Sequence, residues 1–548
     1  MQTSRIISQS PSPKIIFKKL ERKDSKPDPA EIYNYSIAKK VIDGEYGNGD
    51  ERRLKLGAQY QAIQNIVNQI VAGTYDYEKI LGKTEYTGRI VENPLLGEVG
   101  ALKNKDLLQS YSFELSKSDV SGSFSITLFP GGEDLNEIID VLDIVEIYES
   151  SLESNLRKFD ESNKNVYDAN DKPVFVGIIK EKKYVSQATD GGVVRRFNIS
   201  GIAATGLVSQ FYLNLDTTAM AMTKQINSVS ELNKTLAAQL LRKPGSDLPL
   251  KEAVKAIWEK FVEIADQCGT PAIENMIKST IGASPDLIFD IDDSAFRYPL
   301  ACIFNGEQTQ NFYDLIDGLL PEPVYEKFAY MDSDKKIMRI KIRKVPFSES
   351  EWKNIRATTI KSTEVKNFSL SQSDREVYTV FFTYLNGYPK DEAFLMRIAT
   401  LEENKSNPTL VWNEEKYKVY GYRPLVAHFI GYGLPNDTKE GDDTSTPDAL
   451  QETSKEMKEW FGKLDEMLSG SITLAMTYGR TKPIMPGEKI SFLGCEFYVE
   501  GISHSWTYGN NGDITLSVSR GGDYSNGIFA RPKNLSSNMK LIELAKED

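Results

Sequence analysis

The stretch Glu488-Lys489-Ile490-Ser491-Phe492, then Phe497-Tyr498-Val499-Glu500-Gly501-Ile502, then Ile514-Thr515-Leu516-Ser517-Val518-Ser519-Arg520-Gly521 decides how this chain is read. It is a short strand, a strand broken by Gly, a polar hairpin tip and a strand closing on Gly. More than three hundred residues earlier the pattern occurs a first time. There it runs Asp143-Ile144-Val145-Glu146-Ile147-Tyr148 and, after an insertion, Val174-Phe175-Val176-Gly177-Ile178-Ile179 and Arg195-Arg196-Phe197-Asn198-Ile199-Ser200-Gly201. The glycines lie 24 residues apart in the first copy (177 to 201) and 20 in the second (501 to 521). A chain that builds one small β-barrel twice can offer two equivalent positions to a ring. The pattern therefore points to assembly geometry rather than to a catalytic pocket.

Outward from these copies the organisation changes several times. Residues 1–29 read as an extended arm whose Ile15-Ile16-Phe17 forms a strand added to a neighbour. Residues 28–73 read as three helices. Asp28 and Glu31 have capping-box spacing with Pro29 at the first helical position, and Asn48 and Glu51 repeat the spacing for a second helix. Tyr60, Ile63, Val67 and Ile70 recur at helical intervals in the third. Residues 84–215 read as mostly strand, with Phe113/Leu115 and Phe124/Ile126/Leu128 alternating with polar residues and Asp119 to Ser123 turning the hairpin. Leu135 to Leu142 reads as a short helix, and the polar, charged residues 151–172 as an excursion.

Residues 225–290 turn helical, with Val254, Ile257, Trp258, Phe261, Ala265 and Cys268 on one stripe. A helix near Phe312 to Leu320 precedes strands Tyr325–Met331 and Ile337–Val345. Strands return at Val377–Tyr384 and Lys416–Tyr422. Residues 432–453 read as a solvated loop, and a helix follows with Met457, Trp460, Phe461, Leu464 and Leu468 on one face. The tail after Arg531 is polar apart from a short helical end near Met539 to Leu544.

Composition narrows the function classes. A chain of 548 residues holds roughly three or four domains at ~150 residues each. There is no apolar run long enough to span a membrane. Met1 to Arg5 lacks an apolar signal core, so cytoplasmic synthesis without export by the usual route is expected. Only two histidines, His428 and His504, and three cysteines, Cys268, Cys302 and Cys495, occur. That scarcity weighs against a zinc site, a disulfide framework and His-based acid–base catalysis. The net charge of −12 weighs against general nucleic-acid binding, which rests on Lys and Arg neutralising phosphates.

Individual motifs read blandly. Alternation in a strand turns His504 away from Ser503 and Ser505, so it is a surface or interface residue rather than a base beside a nucleophile. His428 is packed or at a strand edge. Asp290, Asp292 and Asp293 lack the spacing of a calcium loop and read as a solvated turn or helix cap. Arg195 and Arg196 are outward charges. No phosphate loop or dinucleotide fingerprint stands out. No catalytic residue, metal ligand or cofactor is assigned.

Two resemblances sharpen this. Ala38-Lys39-Lys40-Val41-Ile42-Asp43-Gly44-Glu45-Tyr46-Gly47-Asn48-Gly49-Asp50-Glu51-Arg52-Arg53, with Leu56-Gly57 and Ala62-Ile63-Gln64-Asn65-Ile66-Val67-Asn68, resembles the Cpl-7-type cell-wall-binding repeat of some phage lysozymes. The resemblance implies that Gly47, Asn48, Gly49, Arg52 and Arg53 bind peptidoglycan, with Tyr46 as a stacking surface. Glycines let backbone N–H groups approach a ligand, and Arg pairs with a carboxylate bidentately. Separately, Gly470-Ser471-Ile472-Thr473-Leu474, Pro486-Gly487-Glu488-Lys489-Ile490, Tyr498 to Trp506 and Ser519-Arg520-Gly521-Gly522 resemble, in order, the central baseplate hub protein of contractile phage tails and phage-tail-like particles. Val377 to Tyr384 and Tyr420 to Leu425 fit the same order.

The hub resemblance implies an α+β multidomain chain with two small tube-like antiparallel β-barrels, a helical or mixed insertion and an N-terminal three-helix module. The expected divisions are an arm at 1–27, the module at 28–80, a first barrel at 84–220 and an insertion at 221–362. A second barrel at 363–530 carries a helical insertion at 452–469, and a tail spans 531–548. The implied role is a homotrimeric hub whose six barrels join a six-fold tail tube to a three-fold spike. Its implied partners are the tail-tube or tube-initiator protein, the spike, surrounding wedge proteins, the tape-measure protein and peptidoglycan. The implied location is the baseplate centre of a virion or tail-like particle. A tail-associated peptidoglycan hydrolase and a wall-binding adhesin are the alternatives.

Overall fold

A computed structural model describes residues 13–92, 98–149, 171–214, short pieces between 248 and 298, 309–386, 410–430 and 446–531, with breaks of one to six residues inside these spans. The excursion at 151–170, most of the apolar stripe at 253–287, the loop at 431–445 and the tail after 531 lie outside the described residues. The chain divides into two units. One is formed by residues 1–19 and 92–548, the other by residues 20–91.

The larger unit is built on one sheet. Its strands are β1 (Lys14–Ser25), β2 (Lys83–Glu92), β3 (Glu98–Gly100), β4 (Leu108–Ser116), β5 (Asp119–Leu128), β6 (Ile144–Tyr148), β7 (Phe175–Thr189) and β8 (Gly192–Ala203). They continue as β9 (Ala357–Thr359), β10 (Val365–Ser371), β11 (Leu468–Ala475), β12 (Lys489–Phe492), β13 (Cys495–Thr507) and β14 (Asp513–Gly522). The order along the sheet within this unit is β10-β11-β14-β13-β4-β5-β8-β7-β6-β1, with β12 on β13, β9 on β12 and β3 on β1. The outer half of β1 and nearly all of β2 belong to the smaller unit. The Ile15-Ile16-Phe17 segment, expected on a neighbour, pairs with the chain's own β6 and β3, and Ile15 and Phe17 are fully buried there.

This path contains one five-stranded antiparallel repeat twice. The first copy runs β4-β5-β8-β7-β6 and the second β10-β11-β14-β13-β12. The correspondence holds residue by residue. Tyr111 opposes Ile126 as Phe368 opposes Ile472, and a register shift follows Leu108 and Val365 alike. Ile126 opposes Ile199 as Ile472 opposes Leu516. The bulge after Ile179 in β7 recurs after Val499 in β13.

The turn entering the third strand of each copy is also shared. Ile179 N–H donates to Asp143 O at 2.9 Å and Val499 N–H to Glu488 O at 2.9 Å. Leu142 N–H donates to Ile179 O and Gly487 N–H to Val499 O, both at 2.8 Å. Leu142 (φ 76°) and Gly487 (φ 78°) share the left-handed conformation. Glycine adopts it freely, whereas Leu142 carries a cost of order 1–2 kcal/mol.

Alternation along the strands builds the core. Leu115, Ile126, Ile199, Ile472 and Leu516 are fully buried, and Phe113 stacks on Phe175 with centroids 4.8 Å apart. Each such side chain stabilises the sheet by roughly 1.5–3 kcal/mol. Truncating Phe113 to Ala would cost about 3–5 kcal/mol.

Several expectations are corrected. The two small tube-like barrels are not delimited as such among the described residues. The two copies lie in one sheet, and among the described residues no ladder closes either copy on itself. The glycines used to match the copies are not equivalent. The shared bulge aligns Gly501 with Glu181 and Gly201 with Val518. The first hairpin turns at Lys117-Ser118, before Asp119. The residues Lys416–Tyr422 form no strand. Asn413 Oδ1 accepts from Lys416 N–H and caps a helix over Glu414–Tyr420. Leu468 begins β11 rather than extending the helix Thr446–Phe461.

Around the sheet, Tyr325–Asp332 and Ile337–Lys344 form an antiparallel pair, with Phe289–Ile291 parallel on the latter. Val380–Asn386, Leu410–Trp412 and Pro424–Ile430 form another three-stranded sheet, which places His428 on a strand.

The smaller unit holds α1 (Pro29–Ile42), α2 (Asp50–Leu56) and α3 (Tyr60–Val71). Asp28 Oδ1 accepts from Ala30 N–H and Pro29 opens α1. The second helix is not capped by Asn48. Gly49 (φ 58°) occupies that position with no side-chain cap. Ile37, Ala38, Val41, Ile63, Ile66 and Val67 make the core of this unit.

Candidate functional site

Two places carry functional geometry, one in each unit. In the helical unit the α1–α2 connection is held by Arg52. Its Nε donates to Gly47 O at 3.1 Å, Nη1 to Gln64 Oε1 at 3.1 Å and Nη2 to Asn48 Oδ1 at 3.0 Å. Three of the five guanidinium donors are thus used to tie the turn to α3, and two remain. Gly47 has φ 69°, and a Cβ there would lie 2.4 Å from Glu51 Oε2. Arg53 is exposed, and its guanidinium lies over the Tyr60 ring at 5.7 Å. Tyr46 packs partly against the core. The structure therefore brings Gly47, Asn48 and Arg52 into one hydrogen-bonded turn, with Gly49 capping the next helix. Arg53 engages Tyr60, which the sequence marked only as an apolar position of the third helix. A ring cluster of Tyr35, Tyr75 and Tyr77 was also missed; Tyr35 and Tyr75 stack at 5.4 Å. Its tyrosines straddle α1 and the segment after α3, so no periodicity announces it.

In the larger unit the two repeats are joined by a ladder between β13 and β4. Ile502 opposes Leu115, His504 opposes Phe113 and Trp506 opposes Tyr111. Of the two expected places, surface or interface, the surface is corrected: His504 is 2 % exposed, on the ladder that joins the two repeats. Its ring stacks on Phe113 at 4.4 Å, and Nδ1 lies 2.9 Å from Glu149 Oε1. Tyr111 donates to the same oxygen at 2.8 Å. Ser503 and Ser505 face away from His504, as alternation requires.

Beside this seam lies a polar cleft of about 1090 Å³ lined by Lys117, Glu326, Arg375, Trp460, Glu500 and Arg520 among others. Lys117 Nζ lies 2.6 Å from Glu326 Oε2 and 3.2 Å from Glu500 Oε2. Arg343 Nε donates to Glu326 Oε1 at 2.6 Å and Tyr498 OH to the same oxygen at 2.5 Å. Burial opposes ionisation of Glu326, but Lys117 and Arg343 outweigh it and hold the carboxyl down at about 2. A carboxylate so held is ionised at neutral pH and cannot donate a proton as a general acid.

The remaining sequence candidates are structural. Asp290 accepts from Tyr330 OH at 2.8 Å and lies 3.4 Å from Lys341, which also pairs with Asp292. They brace a strand pair rather than a turn, and Asp293 lies outside the described residues. Cys495 is buried, and burial pushes its thiol up to about 11. Cys268 and Cys302 lie outside the described residues. Among the described residues no cluster of His, Cys, Asp and Glu could hold a metal, and no helix is long and apolar enough to cross a membrane.

Residues 36–71 match the CW_7 repeat. No curated protein matches the chain. Solved structures to which it is similar include phage-tail, baseplate and secretion-system proteins. A tail protein from Neisseria meningitidis MC58 is 10% identical, with 77% of this chain and 95% of that one covered and a TM-score of 0.39. The 43 kDa tail protein of prophage MuSo2 from Shewanella oneidensis is 10% identical, with 82% and 98% covered and a TM-score of 0.34. The E. coli c3393 protein, a component of the type VI secretion system, is 11% identical, with 78% and 76% covered and a TM-score of 0.32. TM-scores this low carry no inference of a shared role.

Proposed function

We propose that this chain is a structural hub of a contractile tail or tail-like particle, working as a homotrimer that presents six equivalent β-repeats in a ring. The observation that carries the reading is the duplication itself. Two repeats share strand order, register, bulge and entry turn, and they are already hydrogen-bonded side by side through β13 and β4. Repeating that step around an axis uses an even number of positions, and three chains supply six. Such a ring matches six-fold symmetry on one side while keeping three-fold symmetry on the other, as a connector between tail tube and spike requires. The order of the hub-like motifs supports placing the ring in a baseplate, where wedge and tape-measure proteins would adjoin it.

The helical module supports a second property, affinity for peptidoglycan. Its match to the CW_7 repeat and the two unused donors of Arg52 favour it. Glu326 and Glu500 in the polar cleft are paired with Lys117, and Glu326 with Arg343 as well, which favours a mechanical over a hydrolytic role for them. Sedimentation of the purified chain tests the main reading. A trimer is expected, and a stable monomer at assembly concentrations contradicts it. Release of soluble fragments from purified walls by the chain would support the hydrolase instead.

A further inference from the structure

The two repeats are equivalent in register but not in partnership. In the second, the edge of β13 is fully used, since residues 495–498 pair with β12 and residues 501–507 with β4. In the first, residues 175–178 of β7 pair with β6 on the corresponding edge. Beyond them, among the described residues, no strand pairs with residues 181–189 on that edge. The strand equivalent to β4 is β10. It ends the sheet path and pairs only with β11 among the described residues.

We infer that β7 of one copy pairs antiparallel with β10 of a second copy of this chain, in the register that β13 and β4 use within it. This rests on the ring reading above and adds which edges meet and in what register. The shared bulge aligns β7 with β13, and the matched hairpins align β10 with β4. Transferring Ile502–Leu115, His504–Phe113, Ser505–Ser112 and Trp506–Tyr111 then sets Lys182 against Gln372, Tyr184 against Leu370, Val185 against Ser369 and Ser186 against Phe368.

The exposure of these strands fits a vacant edge. Tyr184 is 48% exposed, whereas its counterpart His504 is 2% exposed. Phe368 and Leu370 are only partly buried, whereas Tyr111 and Phe113 are buried. Pairing would set the Tyr184 ring against Leu370 and cover Phe368. The charges fit as well. Lys117 N–H donates to Glu500 O within the chain, and their side chains form an ion pair at 3.2 Å. The equivalent residues are Asp374 and Lys180, the same pair with its signs exchanged. Lysines on an exposed strand ordinarily discourage edge pairing. Here Lys180 would meet a carboxylate, so the edge accepts one partner rather than any.

The contact is heterologous, joining one edge to a different edge, so successive copies form a ring or an open chain. Oxidative cross-linking of a Val185→Cys/Ser369→Cys variant of the full chain tests the register. Directly opposed strand residues fall within the Cα separation that a disulfide accepts. Ser505→Cys/Ser112→Cys supplies the equivalent pair inside one chain as a positive control. The expected result is a covalent trimer on a denaturing gel, and a mixed disulfide when the two single variants are combined. A Val185→Cys/Ser373→Cys variant, four residues out of register, should cross-link at least tenfold less. If native mass shows a trimer but the in-register pair stays monomeric on the gel, the ladder is overturned while the ring reading stands. If native mass shows only monomer and no cross-link forms, both fall.

Discussion

The Tyr111 hydroxyl donates to Glu149 Oε1 at 2.8 Å, at the seam where the two repeats join. His504 Nδ1 lies 2.9 Å from the same oxygen. One buried carboxylate therefore ties the first strand of one repeat to the fourth strand of the other. Removing it leaves a buried hydroxyl and an imidazole without their acceptor. Glu149→Ala should destabilise the larger unit by about 3–5 kcal/mol, and Glu149→Gln, which keeps an acceptor, by less. The shift of the urea midpoint, compared between the two variants, checks this ordering.

Asp143 gives a pH dependence with a definite sign. Burial, opposed by the hydrogen bond its Oδ2 accepts from Asp140 N–H, raises its carboxyl to about 7. A carboxyl raised in the folded state binds a proton there that the unfolded chain has released. Its contribution to stability is therefore fully present at low pH and is lost as pH rises from about 4 to about 7. Asp143→Asn should become more stable relative to the unsubstituted protein between pH 5 and pH 8, by roughly 2 kcal/mol. Denaturation midpoints of both proteins at the two pH values test this, and a constant gap contradicts it. Glu488, the equivalent residue, is also raised by burial, so some slope should survive the substitution.

The two arginines of the helical module should separate. Arg52→Ala removes three hydrogen bonds that fix the α1–α2 turn and should lower the stability of that unit by about 1–3 kcal/mol. Arg53 is exposed, and its guanidinium lies over the face of Tyr60. Arg53→Ala should leave folding within about 0.5 kcal/mol and weaken co-sedimentation with purified peptidoglycan. Unchanged co-sedimentation by Arg53→Ala would remove that residue from the binding surface.

Charge reversal probes the edges. Asp374→Lys should weaken association of chains by about tenfold or more, ~1.4 kcal/mol, because Lys180 would then face a like charge. Adding Lys180→Glu should recover much of the loss. Sedimentation equilibrium of both variants measures it, and equal association by all forms contradicts the assigned register.

The strands were legible in the sequence because alternation of Phe113/Leu115 and Phe124/Ile126/Leu128 reports a half-buried sheet directly. The equivalence of the copies was visible as an order of strands, but its register was not. Gly177 and Gly501 look alike, yet each packs for a local reason, and the register is set by bulges at Lys180 and Glu500 that leave no compositional mark. The Lys416–Tyr422 stretch looked like a strand because its apolar residues alternate, and the Asn413 cap decided otherwise. The burial of His504 depends on Glu149, a partner distant in sequence, and so could not be read locally. In the helical module the turn residues were legible as a group. That Arg52 spends three donors internally was not, because Gln64 reaches it from another helix.

Electron cryomicroscopy of the assembled particle would resolve the ring and its strand pairing. Three copies of this chain are expected around one axis. Their six five-stranded repeats should alternate in a continuous ring, with β7 of each chain hydrogen-bonded to β10 of the next, Tyr184 opposite Leu370. A single copy on the axis, or three copies whose β7 and β10 edges both face solvent, would contradict it.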